Sequence, residues 1–190
     1  MNIVIFGPPG AGKGTQSKFI VKKFNLYQLS TGDLLRNEIK NQTELGKKIS
    51  LIMNKGDLVS DDIVTSLIEK FISNKIYKNK IIFDGYPRNL NQAKNLDILL
   101  KKHDQKIDIV LKLSVSLETI KKRILERKIL EKRTDDNEEV AIKRFQTYER
   151  SSEPVLEHYK QSNLVKVING EGTISEINTE ISGLIDANKG

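Results

Sequence analysis

The chain alternates short, wholly apolar runs with longer stretches in which apolar residues recur every three or four positions. That pattern is expected of buried strands interleaved with amphipathic helices. Ile3-Val4-Ile5-Phe6 contains no polar residue and reads as a strand covered on both faces. Beyond a glycine-rich loop, residues 15–23 predict a first helix with Phe19 and Ile20 turned inward. Leu26-Tyr27-Gln28-Leu29 reads as a short strand, and Ser30-Thr31-Gly32-Asp33 supplies capping chemistry for a helix carrying Leu34, Leu35 and Arg36. From there to Val59 the pattern weakens into helical pieces broken by Gly46 and Gly56, which predicts a small helical excursion outside the sheet.

Ser60, Asp61 and Asp62 predict the capped start of the next helix, with the two acids against its N-terminal dipole. Ile63, Val64, Leu67, Ile68, Phe71 and Ile72 then recur at helical spacing. Ile81-Ile82-Phe83-Asp84 is a second strongly buried strand, ending in a carboxylate. A helix on Leu90, Ala93, Leu96 and Leu99, a strand over 107–113 and a long basic helix capped by Ser116 come next. A polar break at Thr134-Asp135-Asp136-Asn137 precedes a helix over 138–159 that Pro154 either kinks or re-opens. A strand over 164–168 and a helix on Ile174, Ile177, Ile181, Leu184 and Ile185 close the chain.

Strands alternating with helices predict an α/β fold, a three-layer sandwich on a five-stranded parallel sheet with right-handed crossovers. No internal repeat, low-complexity tract or linker divides the chain, so 1–190 reads as one domain. Ligands of such sheets sit at the carboxyl ends of the strands. Two features of this sequence fall there. The first is Gly7-Pro8-Pro9-Gly10-Ala11-Gly12-Lys13-Gly14-Thr15-Gln16, a glycine-rich loop between a strand and a helix start. Its backbone N–H groups, the helix dipole and a lysine make a cradle for a polyphosphate. Gly14 follows the lysine and the hydroxyl comes one place later than the general pattern has it, at Thr15. The second is Asp84, a strand-terminal carboxylate of the kind that accompanies magnesium beside a phosphate loop.

The 190 residues suffice for one core. Apolar content of 37% and charged content of 30% describe a soluble protein, and no run of ~18 apolar residues suggests a membrane span. Met1-Asn2 leads straight into the first strand, so no signal peptide is expected. Cysteine is absent, which excludes disulfides and cysteine-based zinc sites and suits the cytoplasm. The two histidines, His103 and His158, read as solvated helix or loop residues. The net charge of +7 raises the question of nucleic acid, but the lysines are spread along the whole chain without an aromatic platform. Arginine is placed more selectively: Arg36, Arg88, Arg123, Arg127, Arg133 and Arg144 stand at turns and on helices, where bidentate phosphate clamping is expected.

Taken in order, the Gly7–Gln16 loop, Ser30-Thr31-Gly32-Asp33-Leu34-Leu35-Arg36, Asp84-Gly85-Tyr86-Pro87-Arg88, Arg133-Thr134-Asp135-Asp136 and the helix of Arg144 resemble the adenylate kinase family over essentially the full length. The Asp-Gly-Tyr-Pro-Arg segment is particular to nucleoside monophosphate kinases, and the displaced Thr15 is normal among them. The resemblance implies transfer of the γ-phosphoryl group of Mg-ATP to AMP, giving two ADP. Gly10, Ala11, Gly12, Lys13, Gly14 and Thr15 would hold the ATP phosphates, with backbone near Gly172 against the adenine. Arg123 would stack on that base and Arg127 would meet phosphate. A monophosphate-binding excursion over 30–59 is implied, with Thr31, Arg36, Asp57, Leu58, Val59, Gly85, Tyr86, Pro87, Arg88 and Gln92 on AMP. Arg133 and Arg144 would neutralise the transferring group and the AMP phosphate, beside Lys13, Arg88 and Arg127. Asp84 would orient magnesium through water, and Asp135 and Asp136 would hold the arginine cluster.

Only Lys128-Ile129-Leu130-Glu131-Lys132 separates Arg127 from Arg133, so the resemblance implies a short lid over 126–136, without the long insert or its zinc site. Small-molecule nucleotides are the expected partners, with no nucleic acid or membrane, and the family suggests a monomer. UMP/CMP kinases are the alternative. They usually carry Ala where Thr31 stands and Asn where Gln92 stands, and the Gln92 amide suits the N1/N6 edge of adenine.

Overall fold

The computed structural model describes residues 1–131 and 138–188. Five strands form one sheet, β1 (Ile3–Phe6), β2 (Tyr27–Ser30), β3 (Ile81–Asp84), β4 (Ile109–Ser114) and β5 (Val165–Asn169). Their order is β2-β3-β1-β4-β5, and every pairing is parallel. Each of β1 to β4 is therefore joined to the next strand by a helical crossover, as the alternating pattern requires. Ile3 pairs with Ile82 on one side and Ile109 on the other, so β1 lies at the centre.

The helices are α1 (Lys13–Phe24), α2 (Thr31–Lys40), α3 (Glu44–Asn54), α4 (Asp61–Ile72), α5 (Leu90–Lys102), α6 (Leu117–Glu131), α7 (Glu138–Lys160) and α8 (Ile174–Ala187). Successive side chains of a strand point to opposite faces, and this divides the core in two. Val4, Phe6 and Phe83 pack with Ile68, Leu96 and Val155, from α4, α5 and α7. Ile3, Ile5 and Ile82 pack with Ile20, Ile177 and Ile181, from α1 and α8. The three layers are thus helix, sheet and helix. Among the described residues, no helix is long and apolar enough to cross a membrane.

Several expectations need correction. Phe19 is not inward: it is 48% exposed, and the buried face of α1 is Gln16, Ser17 and Ile20. The Gln16 amide lies there because it donates to Ile174 O at 3.0 Å and accepts from Asn178 at 3.2 Å. Helix α1 also starts at Lys13, earlier than the apolar pattern allows, since its first turn is polar loop sequence. Gly46 breaks nothing and is buried within α3, where a Cβ would meet Glu38 O at 2.1 Å. Here glycine permits two backbones to touch. Ser60 occupies the N-cap of α4 without a side-chain cap bond, although Asp61 and Asp62 do sit in its first turn. Helix α7 continues through Pro154, and β4 and β5 lie one or two residues later than the apolar runs suggest. Neither histidine is merely solvated. His158 Nε2 lies 2.6 Å from Asp97 Oδ2, and His103 Nε2 is buried.

Candidate active site

From β1 the chain winds to one side through β2 and β3 and to the other through β4 and β5, so the carboxyl edge of β1 is where the winding reverses. A cleft of about 850 Å³ opens there. Its floor is the loop between β1 and α1. Gly12, at φ +95°, forms the N-cap of α1, and a Cβ there would meet nothing, so glycine is required by conformation alone. No side chain caps α1 and no acid stands in its first turn. Its N–H groups and positive dipole end therefore face the cleft without a competing carboxylate from that turn. Lys13 Nζ donates to Gly7 O at 2.7 Å and Pro8 O at 3.0 Å, which folds the side chain back over the loop. Loss of solvent pushes its ammonium down to about 8, Asp84 counters, and Arg88 and Arg127 add to the fall.

Asp84 ends β3 beside this loop, since Ile5 and Asp84 are paired in the sheet. Its Oδ2 accepts from Gln28 Nε2 at 2.9 Å and lies 3.8 Å from where a Gly14 Cβ would be. The carboxylate is thus held over the first turn of α1. Gly85 follows at φ +78°, and its carbonyl accepts from both Thr31 Oγ1 and Arg88 Nε at 2.8 Å. The Tyr86-Pro87 peptide is cis, and Tyr86 is buried with its hydroxyl raised in pKa, chiefly by that burial. Loss of solvent and the charges of Arg144 and Arg36 push the Arg88 guanidinium down to about 10.

The remaining walls come from farther along the chain. Arg36 pairs with Asp33 at 2.5 Å and lines the cleft, as do Asp57, Leu58 and Val59. Arg144 Nη2 donates to Met53 O at 3.3 Å, while its neighbour Lys143 pairs with Asp57 at 2.6 Å and donates to Lys55 O at 2.9 Å. Helix α7 therefore grips the end of α3. On the opposite wall Arg123 donates to Ala11 O at 3.4 Å and Gly170 O at 2.9 Å, bridging the loops after β1 and β5. Arg127 and Gly172 line the same side, next to the capping box of Thr173 and Glu176 that starts α8.

The structure thus brings together on the cleft Gly10–Thr15, Arg36, Asp57–Val59, Asp84–Arg88, Arg123, Arg127, Arg144 and Gly172. Thr31 and Gln92 stand just behind its wall, both buried. The Gln92 amide accepts from Arg88 N at 2.7 Å and donates to Asp61 Oδ1 at 2.7 Å. Arg133, Asp135 and Asp136 lie outside the described residues. Sequence reasoning missed Gln28, Lys143 and Asp61. A polar residue inside the Leu26–Leu29 run was the signal for Gln28, whereas Lys143 and Asp61 depend on contacts about 86 and 31 positions away. Among the described residues, no group of three or more His, Asp or Glu is gathered to hold a metal.

Such a site can hold a polyphosphate on the loop and a second anion among Arg36, Arg88 and Arg144, with the cations of both meeting at Lys13 and Arg88. Comparison with known proteins shows the family. A family model described as adenylate kinase matches residues 5–164. The chain is 43% identical to an adenylate kinase of Pelagibacter ubique, across 97% of this chain and 99% of that protein. It is 42% identical to one of Flavobacterium psychrophilum, with 98% of each covered, and 45% identical to one of Prochlorococcus marinus, with 94% and 95% covered. With its phosphate loop, its Asp84–Arg88 segment and relatives matched over nearly their whole length, the chain belongs to the adenylate kinase family.

Proposed function

We propose that the chain catalyses reversible phosphoryl transfer between ATP and AMP, giving two ADP. The observation that supports this reading is one cleft lined both by the α1 loop with Lys13 and by Arg36, Arg88 and Arg144, with Asp84 acting electrostatically on Lys13 and on Arg88. An oxygen of the AMP phosphate attacks the γ-phosphorus, the bond from that phosphorus to the β,γ-bridging oxygen breaks, and its electron pair leaves on ADP. The attacking oxygen is already ionised, so no general base is required. Catalysis then rests on alignment and charge neutralisation.

In this reading Gly10–Thr15 hold the ATP phosphates, Arg123 and Gly172 border the adenine, and Lys13, Arg127, Arg133 and Arg144 neutralise the group in flight. The excursion over 30–59 is the acceptor-binding subdomain, and 126–136 is a short lid. Thr31, Arg36, Asp57–Val59, Gly85–Arg88 and Gln92 serve AMP. Asp84 fits a magnesium ion that keeps most of its own waters, because one carboxylate held by Gln28 beside the phosphate loop is what such an ion needs from protein. The ion supplies charge neutralisation to the β- and γ-phosphates when bound. The relatives named adenylate kinases favour AMP over UMP or CMP. A monomer in the cytoplasm acting on small nucleotides, without zinc, completes the proposal. The test is ADP formation from ATP with AMP, UMP, CMP and GMP in parallel. Strong turnover of UMP or CMP with little of AMP overturns it.

A further inference from the structure

Helix α4 opens with Asp61, whose carboxylate is a hub for three side-chain amides. It accepts from Asn89 Nδ2 at 3.0 and 3.3 Å, Asn91 Nδ2 at 3.1 Å and Gln92 Nε2 at 2.7 Å. Burial pushes this carboxyl up, but the amide donors outweigh it and hold the pKa below the usual value. At neutral pH Asp61 therefore only accepts. The other end of the Gln92 amide meets a group that only donates, since its Oε1 takes the backbone N–H of Arg88 at 2.7 Å. The two partners together forbid a flip. Turning the amide over would set its oxygen against the Asp61 carboxylate and its NH2 against the Arg88 N–H, leaving both pairs repulsive.

An amide has two hydrogens and two lone pairs. With one of each spent, Gln92, buried just behind the cleft wall, keeps one donor and one acceptor in an order that its two partners fix. An amino group beside an unprotonated ring nitrogen matches that order, as on the N6/N1 edge of adenine. A carbonyl beside a ring N–H presents the reverse. We propose that Asp61 is a positioning residue for acceptor specificity: by fixing the polarity of the Gln92 amide, it makes the acceptor site favour 6-amino over 6-oxo purine monophosphates. The assignment rests on the reading of AMP as acceptor with Gln92 facing its base. Asp61 touches no nucleotide in this account; it acts through Gln92.

Inosine monophosphate tests this cleanly, because its base keeps the size of adenine's and reverses the polarity of that edge. The quantity to measure is kcat/KM for AMP divided by that for IMP, with ATP as donor. Asp61→Asn puts an amide that both donates and accepts where only acceptance was possible, and Asp61→Ser does the same with a smaller hydroxyl should the first fail to fold. Both should lower the ratio about tenfold or more, through KM of the monophosphates, with KM for ATP unchanged and melting temperature recorded alongside. A purely structural role would weaken AMP and IMP alike and leave the ratio as it was. Gln92→Leu is the control. If Gln92→Leu lowers the ratio and the folded Asp61 variants do not, the polarity lock is overturned while the Gln92 reading stands. If Gln92→Leu leaves the ratio unchanged, the base-reading role falls, and the inference with it.

Discussion

In the proposed reaction, Lys13 is the residue on which the donor half of the cleft turns. Its two carbonyl partners, Gly7 and Pro8, belong to the loop itself, so the ammonium is folded in before any phosphate arrives. On the proposed mechanism, replacing it with alanine removes a positive charge that the moving phosphoryl group would meet. Lys13→Ala should lower kcat by about 10²–10³-fold, with the melting temperature close to that of the parent, measured by coupled assay and thermal melt. A second outcome follows from its titration near 8. A bound polyphosphate favours the charged form and raises that pKa, so at pH 8–9 binding should take protons up. Titration calorimetry in buffers of differing ionisation enthalpy reads this directly. Proton release on ATP binding in that range would place Lys13 elsewhere in the chemistry.

At the scale of elements, what the sequence disclosed depended on burial. Strands β1 and β3 were legible because Ile3–Phe6 and Ile81–Phe83 are covered on both faces, so no polar residue blurs them. Edge strands β2 and β5 carry exposed residues such as Tyr27 and Val167, and their limits shifted accordingly. Helix α1 misled because a buried amide, Gln16, took the inward place that Phe19 was expected to hold. The loop residues of the cleft could be named from their motifs. The hydrogen bonds behind them could not, since Asp61 reaches Gln92 only once α4 and α5 lie side by side. Gly46 shows the same limit. Its pattern says helix breaker, while its place is the contact of α3 with the end of α2. Gly46→Ala should therefore destabilise the protein at the upper end of the roughly 1–3 kcal/mol range for overpacking, as urea denaturation would measure. It should also raise KM for AMP more than KM for ATP. Unaltered stability would mean that the two helices separate at no cost.

At the scale of the molecule, the helical excursion is not an appendage. Leu35, Ile49, Met53 and Val59 belong to the same apolar cluster as Val4, Phe6 and Phe83 of the sheet. A shared cluster favours one cooperative transition over stepwise loss. Calorimetry of the free chain should accordingly give a single endotherm with equal calorimetric and van't Hoff enthalpies; a separate early transition for α2 and α3 would contradict this. The shared core also bears on how such a protein can change over time. A free-standing recognition module could be exchanged for another, as cassettes are. Here, any replacement of the α2–α3 segment must refill the space beside Phe6 and Phe83, or the sheet loses part of its own cover. On the proposed assignment, new acceptor preferences would therefore be reached by substitution along the rim, at positions such as Asp57 or those around Arg88, and not by transplanting the segment whole.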